Sequence, residues 1–299
     1  MTSTPTAPPE TPASDSDADV RAGESSGTPT AREIVVGVDG SECAYRAVRW
    51  AAHEAARRDA PLRIIHAASY LGRRGVAGAR SPELTRARQI TGQAFTVARH
   101  AEHDLRVSTE VVPGDAVDAL LRSAAASQLV VLGSSTTGAV DELVLAPVGA
   151  RLAARSPQPV VVVPRQRSGT PAERPVAAVL GIGDAADDEA VAAYAAAAAR
   201  REGAPLSLLQ TRPRGRHEVA SWVDDLSEWS RREPDLEVSR SDLPRPSAGD
   251  LMSATCPTPL LVLSAGHQHL LHRLDGPHRW LLRHCTCPMA LVPPAAQRA

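Results

Sequence analysis

The feature that most constrains the fold of this chain is an internal repeat. The segment DAPLRIIHA, which starts at Asp59, matches GAPLSLLQT, which starts at Gly203, 144 residues later. At the same offset, VVGVDG from Val35 matches VLGIGD from Val179. Farther along, LVVLG matches LLVLS and PVVVVP matches PMALVP. The chain is therefore two copies of one unit, of which the second is shorter and more divergent.

Each copy alternates short apolar runs with amphipathic segments. In the first copy EIVVGVD and LRIIHAA are typical of buried strands. The segment between them places its alanines at helical spacing after Ser41, a suitable N-cap. Later segments continue the alternation, including SPELTRARQITGQAFTVARHA as a helix and VGARLAARS, from Val148, as another. Near-continuous apolar strands separated by helices predict an α/β fold with a parallel sheet covered on both faces.

Composition shifts mark the predicted domain boundaries. Residues 1–32 are rich in Ser, Thr, Pro, Asp and Ala, which predicts a disordered tail. We predict a first domain at 33–165, a polar linker at 166–175 and a divergent second domain at 176–294. Within the second domain, EVASWVDDLSEWS places its apolar and Trp residues on one stripe, which predicts a core-facing helix.

Charge and hydropathy exclude several classes of partner. A net charge of -1 gives no electrostatic case for nucleic acid or an anionic membrane. The chain has no continuous apolar run of about 18 residues, and its first residues lack the pattern of a signal peptide. Its four cysteines do not form a spaced disulfide framework, so we expect a protein of the reducing cytoplasm.

Two long segments carry a family resemblance. IVVGVDGSECAYRAVRWAAHEA and LVVLGSSTTGAVDELVLAPVGARLAARSPQPVVVVP resemble the universal stress protein family, in its tandem two-domain actinobacterial form. The resemblance implies two tandem Rossmann-like domains of the adenine nucleotide alpha hydrolase-like type, each a five-stranded parallel sheet with helices on both faces. It implies ATP as a ligand, and domains that pair through their last strands. Intramolecular pairing and a homodimer both stay open.

The same resemblance implies where a nucleotide would bind. Nucleotide-binding members have an Asp after the first strand that contacts adenosine, and this chain has Asp39 there. The backbone at Ala67 would face the adenine. The phosphate loop of the family is Gly-x-x-Gly, nine residues, then Gly-Ser or Gly-Thr. Glycines let the backbone approach phosphates, and backbone N–H groups with a helix N-terminus supply positive potential.

This chain departs from the phosphate-loop pattern in its second part. Gly133 matches the first glycine, but Thr136 takes the place of the second, and Gly138 follows two residues later. Ala146 and Pro147 replace the Gly-Ser pair, and proline offers neither an N–H nor a hydroxyl. The predicted site comprises Val38, Asp39, Ala67, Gly133, Ser134, Ser135, Thr136, Gly138, Ala146, Pro147 and Val148.

The second domain departs further from the family pattern. Gly183 stands at the Asp position, with Asp184 next to it. Ser264 replaces the first loop glycine, and Gly276-Pro277 stands where the Gly-Ser pair would be. Any nucleotide binding is therefore predicted in the first domain only.

Other clusters of reactive side chains are weaker signals. The histidines of HQHLLH and the residues that follow are of types that bind zinc, but their spacing matches no established motif. The cluster comprises His267, His269, His272, His278, His284, Cys285 and Cys287. We expect no metal there and structural thiols at the two cysteines, with redox sensing as the alternative.

A catalytic triad of Ser134, His66 and Asp39 is not expected, because Ser134 is not in a Gly-x-Ser-x-Gly turn. Asp39 followed by Gly-Ser has an alternative role, since it can form an Asx turn that starts a helix.

The sequence thus predicts a non-enzymatic cytoplasmic stress-response or regulatory protein with an unidentified protein partner. Its first domain either binds ATP or another adenine nucleotide weakly or binds none. Two alternatives stay open. A slow nucleotide hydrolase would need an intact phosphate loop and a carboxylate to anchor a metal. A pure interaction scaffold would have both pockets filled by side chains.

Overall fold

The fold is an α/β sandwich built on one sheet. The computed structural model describes residues 32–69, 82–134, 146–164, 174–181, 184–212, 231, 233–244, 246–255, 258–265 and 285–294. These residues form ten strands and six helices. In chain order the elements are β1 (Glu33–Gly37), α1 (Glu42–Arg57), β2 (Leu62–Ala68), α2 (Pro82–Ala101), β3 (Val107–Pro113), α3 (Ala116–Ala124), β4 (Ser127–Ser134), α4 (Ala146–Ala153), β5 (Val160–Pro164), β6 (Val176–Leu180), α5 (Ala185–Glu202), β7 (Leu206–Arg212), β8 (Val238–Pro244), α6 (Ala248–Thr255), β9 (Leu261–Ser264) and β10 (Met289–Val292).

The internal repeat appears directly in the strand order, which is β3-β2-β1-β4-β5-β10-β9-β6-β7-β8. Read from each outer edge inward, both halves use their strands in the same order. All pairings within each half are parallel. The predicted fold of two tandem five-stranded parallel sheets is confirmed. The domain boundaries drawn on the sequence stay predictions. Residues 1–31 of the tail predicted at 1–32, and the Trp-containing segment of the second half, lie outside the described residues.

Alternate strand residues bury themselves under helices on the two faces of the sheet. Val36 belongs to a core formed with α1, α2 and α5, whereas its neighbour Val35 belongs to a core formed with α3, α4 and α6. This alternation follows from the two-residue period of a strand. The prediction of helices on both faces is therefore confirmed. Among the described residues, no helix is long and apolar enough to cross a membrane.

The two halves join through their last strands. Strand β5 runs antiparallel to β10, with Val162 opposite Met289 and Val160 opposite Leu291. Both strands therefore lie in the interior of the sheet, and β3 and β8 form its edges. The intramolecular alternative for domain pairing is the one observed. In this structure the edges of β5 and β10 are paired with each other within the chain, and a homodimer stays a prediction.

A buried ion network links α1 of the first half to α5 of the second. Glu54 has a side chain only 5% exposed, and its Oε1 lies 2.6 Å from Nη2 of Arg58 and 3.4 Å from Nη2 of Arg201. Burial lowers the pKa of Arg201, and the nearby charge of Arg58 lowers it further. Arg57 reaches Glu202 across the same boundary, with Nη1 and Oε1 2.8 Å apart. The other oxygen of Glu54 lies 3.8 Å from Nη1 of Arg57, so this carboxylate compensates three guanidinium groups, two from the first half and one from the second.

Strand β4 makes an unusually close approach to the start of α1. A Cβ added at Gly133 would lie against Cys43 O and 2.8 Å from Ala44 N, both backbone atoms. Backbone cannot rotate aside as a flexible side chain can. Gly133 is thus required by packing, whatever else it does.

The ion network generates a stability prediction. Glu54→Gln keeps the shape of the side chain but leaves Arg58 and Arg201 without their buried carboxylate. We expect the free energy of unfolding in urea to fall by about 3–5 kcal/mol, the range for breaking a buried ion pair. Glu42→Gln is the matched control, because Glu42 is 77% exposed in its pair with Arg46 and should change stability by about 0–1 kcal/mol. Equal effects of the two changes would contradict a role for the network.

The close approach of β4 to α1 generates a second prediction. Gly133→Ala should destabilise the protein by about 1–3 kcal/mol, the usual range for overpacking, and toward its upper end because backbone must move. Gly92→Ala is the control, since a Cβ at Gly92 in α2 meets nothing within 4 Å. Replacing a mid-helix glycine should stabilise by about 0.5–1 kcal/mol. Opposite signs in thermal or urea unfolding would support the packing role, and a stabilising Gly133→Ala would refute it.

Candidate functional site

The topology brings the predicted site residues to one edge of the sheet. After β1 the chain crosses to β2 on one side, whereas β4 flanks β1 on the other. Ligands of open parallel sheets bind outside the carboxyl ends of the strands at such a switch point. Val38 and Asp39 follow β1, Ala67 lies near the end of β2, and Gly133 and Ser134 end β4. Five of the predicted residues therefore share this edge.

Asp39 is held by the turn that starts α1. Its exposed carboxylate accepts a hydrogen bond through Oδ1 from the backbone N–H of Ser41, at 2.8 Å. Gly40 between them has a φ of 87°, which a glycine adopts without strain. Ser41 in turn caps the helix, since its Oγ accepts from Ala44 N at 3.2 Å. The predicted Asx turn is therefore present, and it fixes the carboxylate at the rim of the switch point.

Burial, with a second contribution from Asp39, raises the pKa of Tyr45 in the first turn of α1. The negative charge of Asp39 therefore acts on the hydroxyl of Tyr45.

His66 ties β2 to the segment after β1. Its Nδ1 lies 2.8 Å from the backbone oxygen of Val38, and the imidazole is buried. Because a carbonyl oxygen can only accept, Nδ1 carries the proton. A Ser-His-Asp relay instead needs that Nδ1 proton on a carboxylate. His66 therefore has a positioning contact with the backbone, and Asp39 uses Oδ1 in its own turn.

The structure corrects the predicted start of the helix after the phosphate loop. The sequence predicted this helix from Val148, but α4 begins at Ala146, so that Ala146 and Pro147 occupy its first turn. Proline is favoured there because its φ suits the helix and an N–H would have no partner within the helix. With Pro147 in place, the first turn of α4 therefore offers an anion one backbone N–H fewer than the same turn would with any other residue there. Ser135, Thr136 and Gly138 lie outside the described residues.

The switch point of the second half is built differently. Gly181 follows β6 with a φ of 83°, and its N–H lies 2.9 Å from both carboxylate oxygens of Asp188. Asp187 and Asp188 are each only 2% exposed. On this edge Thr211 also donates its hydroxyl to Leu180 O at 2.7 Å. A buried carboxylate therefore caps the end of β6.

Asp188 is a site residue that the sequence analysis missed. Asp187 and Asp188 lie in the first turn of α5, where negative charge suits the helix dipole without any further role. The signal was available in the repeat, because Asp188 aligns with Ala44 at the offset of 144 residues. At this position the second half has a carboxylate where the first half has a methyl group, and that carboxylate accepts from Gly181 N directly after β6.

The sequence predicted no metal site in the cluster of histidines and cysteines between His267 and Cys287. Within the part of the chain that the structure describes, no group of three or more His, Cys, Asp or Glu residues could hold a metal ion. The five histidines from His267 to His284 lie outside that part. Cys285 and Cys287 lie within it as buried thiols, with their sulfur atoms 2.9 Å apart.

Comparison with known proteins agrees with this architecture. A family model described as the universal stress protein family matches residues 30–164. A universal stress protein of Mycobacterium tuberculosis is 30% identical over 270 residues, which cover 87% of this chain and 95% of that protein. Another from the same organism is 28% identical over 276 residues and covers 89% of this chain and 98% of that protein.

A solved structure shows the same fold over both halves. The crystal structure of a universal stress protein from Archaeoglobus fulgidus matches with a TM-score of 0.68 at 12% identity, over 88% of this chain and 97% of that one. Fold and relatives together give one assignment: this chain belongs to the universal stress protein family, in its tandem two-domain form.

Proposed function

We propose that this stress-response protein is a non-enzymatic regulator of the cytoplasm that binds an adenine nucleotide such as ATP weakly, in its first half only. The observation that carries the proposal is the contrast between the two switch points. In the first half the exposed carboxylate of Asp39 stands at the carboxyl end of β1, where its Oδ1 accepts from Ser41 N. In the second half the carboxylate of Asp188 is buried against the N–H of Gly181.

The groups of the first half suit the two polar ends of a nucleotide. The fixed carboxylate of Asp39 would accept hydrogen bonds from ribose hydroxyls or the base, and the backbone at Ala67 would face the adenine ring. At the other end, Gly133 lies beside the first turn of α1. The partial positive charge of a helix N-terminus favours an anion such as phosphate.

Weak rather than tight binding follows from the second part of the phosphate loop. Pro147 in the first turn of α4 has no N–H to donate. Hydrogen bonds to charged groups contribute about 1.5–3 kcal/mol each, so the loss of one donor lowers affinity by a factor of ten or more.

The second half is proposed to bind no nucleotide. Gly181 N, directly after β6, already donates to the buried carboxylate of Asp188, so this backbone donor is not offered to a phosphate. The support for a non-enzymatic role is the use of His66 and Asp39 in backbone contacts. The regulatory protein partner stays unidentified.

Calorimetric titration with ATP tests the proposal, with two variants of Asp39. Asp39→Asn can still accept from Ser41 N and so keeps the Asx turn, but it loses the charge. We expect sub-millimolar binding by the natural chain, about tenfold weaker binding by Asp39→Asn, and weaker binding still by Asp39→Ala. Wild-type silence at millimolar ATP would instead favour a pure scaffold. Phosphate release above the Asp39→Ala background would favour a slow hydrolase.

Restoring the backbone N–H that Pro147 lacks should strengthen the binding of ATP. The double change Ala146→Gly with Pro147→Ser returns an N–H and a hydroxyl to the first turn of α4. Affinity for ATP should rise about tenfold or more, as one charge-assisted hydrogen bond predicts. Pro244→Ser, at the exposed end of the outermost strand β8, is the control for the loss of a proline. An unchanged affinity in the double variant would contradict the assignment of this turn to the phosphates.

A further inference from the structure

Two thiols are held against each other in the turn that precedes β10. The sulfur atoms of Cys285 and Cys287 lie 2.9 Å apart, and the two residues are only 6% and 3% exposed. A disulfide needs a sulfur–sulfur distance of about 2.0 Å. The two sulfur atoms therefore have to move closer by only about 0.9 Å to form a disulfide bond.

The repeat shows that this closeness is imposed by the fold. In the first half the turn before β5 has Ser156 and Gln158 in the corresponding positions, each two residues apart and followed by proline. There the hydroxyl of Ser156 donates to Gln158 O at 2.7 Å and accepts from Gln158 N at 3.2 Å. In both halves, then, the turn folds its first residue back onto its third. In the second half those two positions are occupied by cysteines.

We propose that Cys285 and Cys287 form a redox-active dithiol that a peroxide oxidises to an intrachain disulfide. One thiolate attacks the peroxide O–O bond and becomes a sulfenic acid, and the leaving hydroxide takes up a proton to become water. The second thiolate then attacks the sulfenic sulfur, forms the S–S bond and expels a second hydroxide, which is also protonated. The two thiol hydrogens and the peroxide thus end as two molecules of water, and two electrons pass to the oxidant.

Burial directs the second step to the partner thiol. A sulfenic acid condenses with whichever thiol reaches it, inside or outside the protein. Because both sulfurs are buried and in contact, the neighbouring cysteine is the nearest nucleophile, and bulkier thiols are hindered. Cys43 is comparably buried but lies in α1 of the first half, where its Sγ is 3.8 Å from Nη2 of Arg46. Cys43 therefore serves as the control for how fast a buried thiol elsewhere in the protein is oxidised.

The dithiol lies at the junction of the two halves. Pro288, directly after Cys287, accepts a hydrogen bond from Leu261 N at 2.9 Å. The next residue, Met289, pairs with Val162 across the junction and with Leu261 of β9. Oxidation would therefore close a covalent ring in the turn that leads into the strand joining both halves. This inference is independent of nucleotide binding.

Peptide mass spectrometry on the full chain tests the proposal. Trypsin releases a peptide, residues 284–298, that contains both cysteines and neither Cys43 nor Cys256. After treatment of the folded protein with a small excess of hydrogen peroxide and alkylation, we expect this peptide to be unalkylated and lighter by two hydrogens than its reduced form. Dithiothreitol should restore two alkylatable thiols, whereas any sulfoxide on Met289 would persist. Cys43 should stay alkylatable at the same peroxide concentration.

Cys285→Ser is the matched variant, because the first half uses serine at the corresponding position and the turn should fold. In this variant we expect the reversible loss of two hydrogens to disappear and Cys287 to end as a thiol or an over-oxidised acid. The proposal is overturned if the natural chain keeps both thiols under conditions that oxidise Cys43. It is overturned equally if Cys285 or Cys287 is found linked to another cysteine or converted directly to a sulfinic acid.

Discussion

The antiparallel pairing of β5 with β10 is the contact on which the rest of the molecule depends. Both strands are almost wholly apolar, and Val160, Val161 and Val163 of β5 are fully buried. A half that stood alone would present β5 as a long apolar edge with unpaired backbone groups, which is a template for aggregation. Each half therefore covers the edge of the other. This requirement gives the second half a structural role whether or not it binds a ligand.

The charges on α1 and α5 fit the halves to each other rather than to copies of themselves. At the offset of 144 residues, Arg57 corresponds to Arg201, Arg58 to Glu202 and Glu54 to Ala198. Arg57 pairs with Glu202 across the boundary. If two first halves met in the same geometry, Arg57 would face Arg58 of the other copy in place of Glu202, so that an ion pair would become two like charges. Glu54 would still face an arginine, because Arg57 corresponds to Arg201. The divergence of the repeat therefore favours the intramolecular arrangement at the position of Glu202.

The parts of the fold that local patterns encode could be predicted from the sequence. Strand β2 and helix α2 have the predicted bounds to within a residue, because apolar runs and helical spacing are signals of the chain itself. The start of α4 was predicted two residues late, because the helix was drawn from Val148 although a proline such as Pro147 suits a first helical turn. The Glu54 network and the bond from Gly181 to Asp188 could not be predicted, because their partners meet only through tertiary packing. Comparing the two repeats position by position was the one signal that pointed to Asp188.

Gly133, Gly40 and Pro147 differ in how much they indicate about a ligand once their packing is considered. Gly133 fits the nucleotide-binding pattern, but a side chain there would collide with the backbone of Cys43 and Ala44 whether or not a phosphate is bound. Its presence therefore reports the close approach of β4 to α1 more than it reports a ligand. Gly40, with its positive φ, is similarly required by the turn that Asp39 forms. Pro147 is the informative residue, because α4 does not require a proline in its first turn and a phosphate site gains from an N–H there. Ligand binding in such a fold is thus judged better from positions that packing leaves free than from those that packing already fixes.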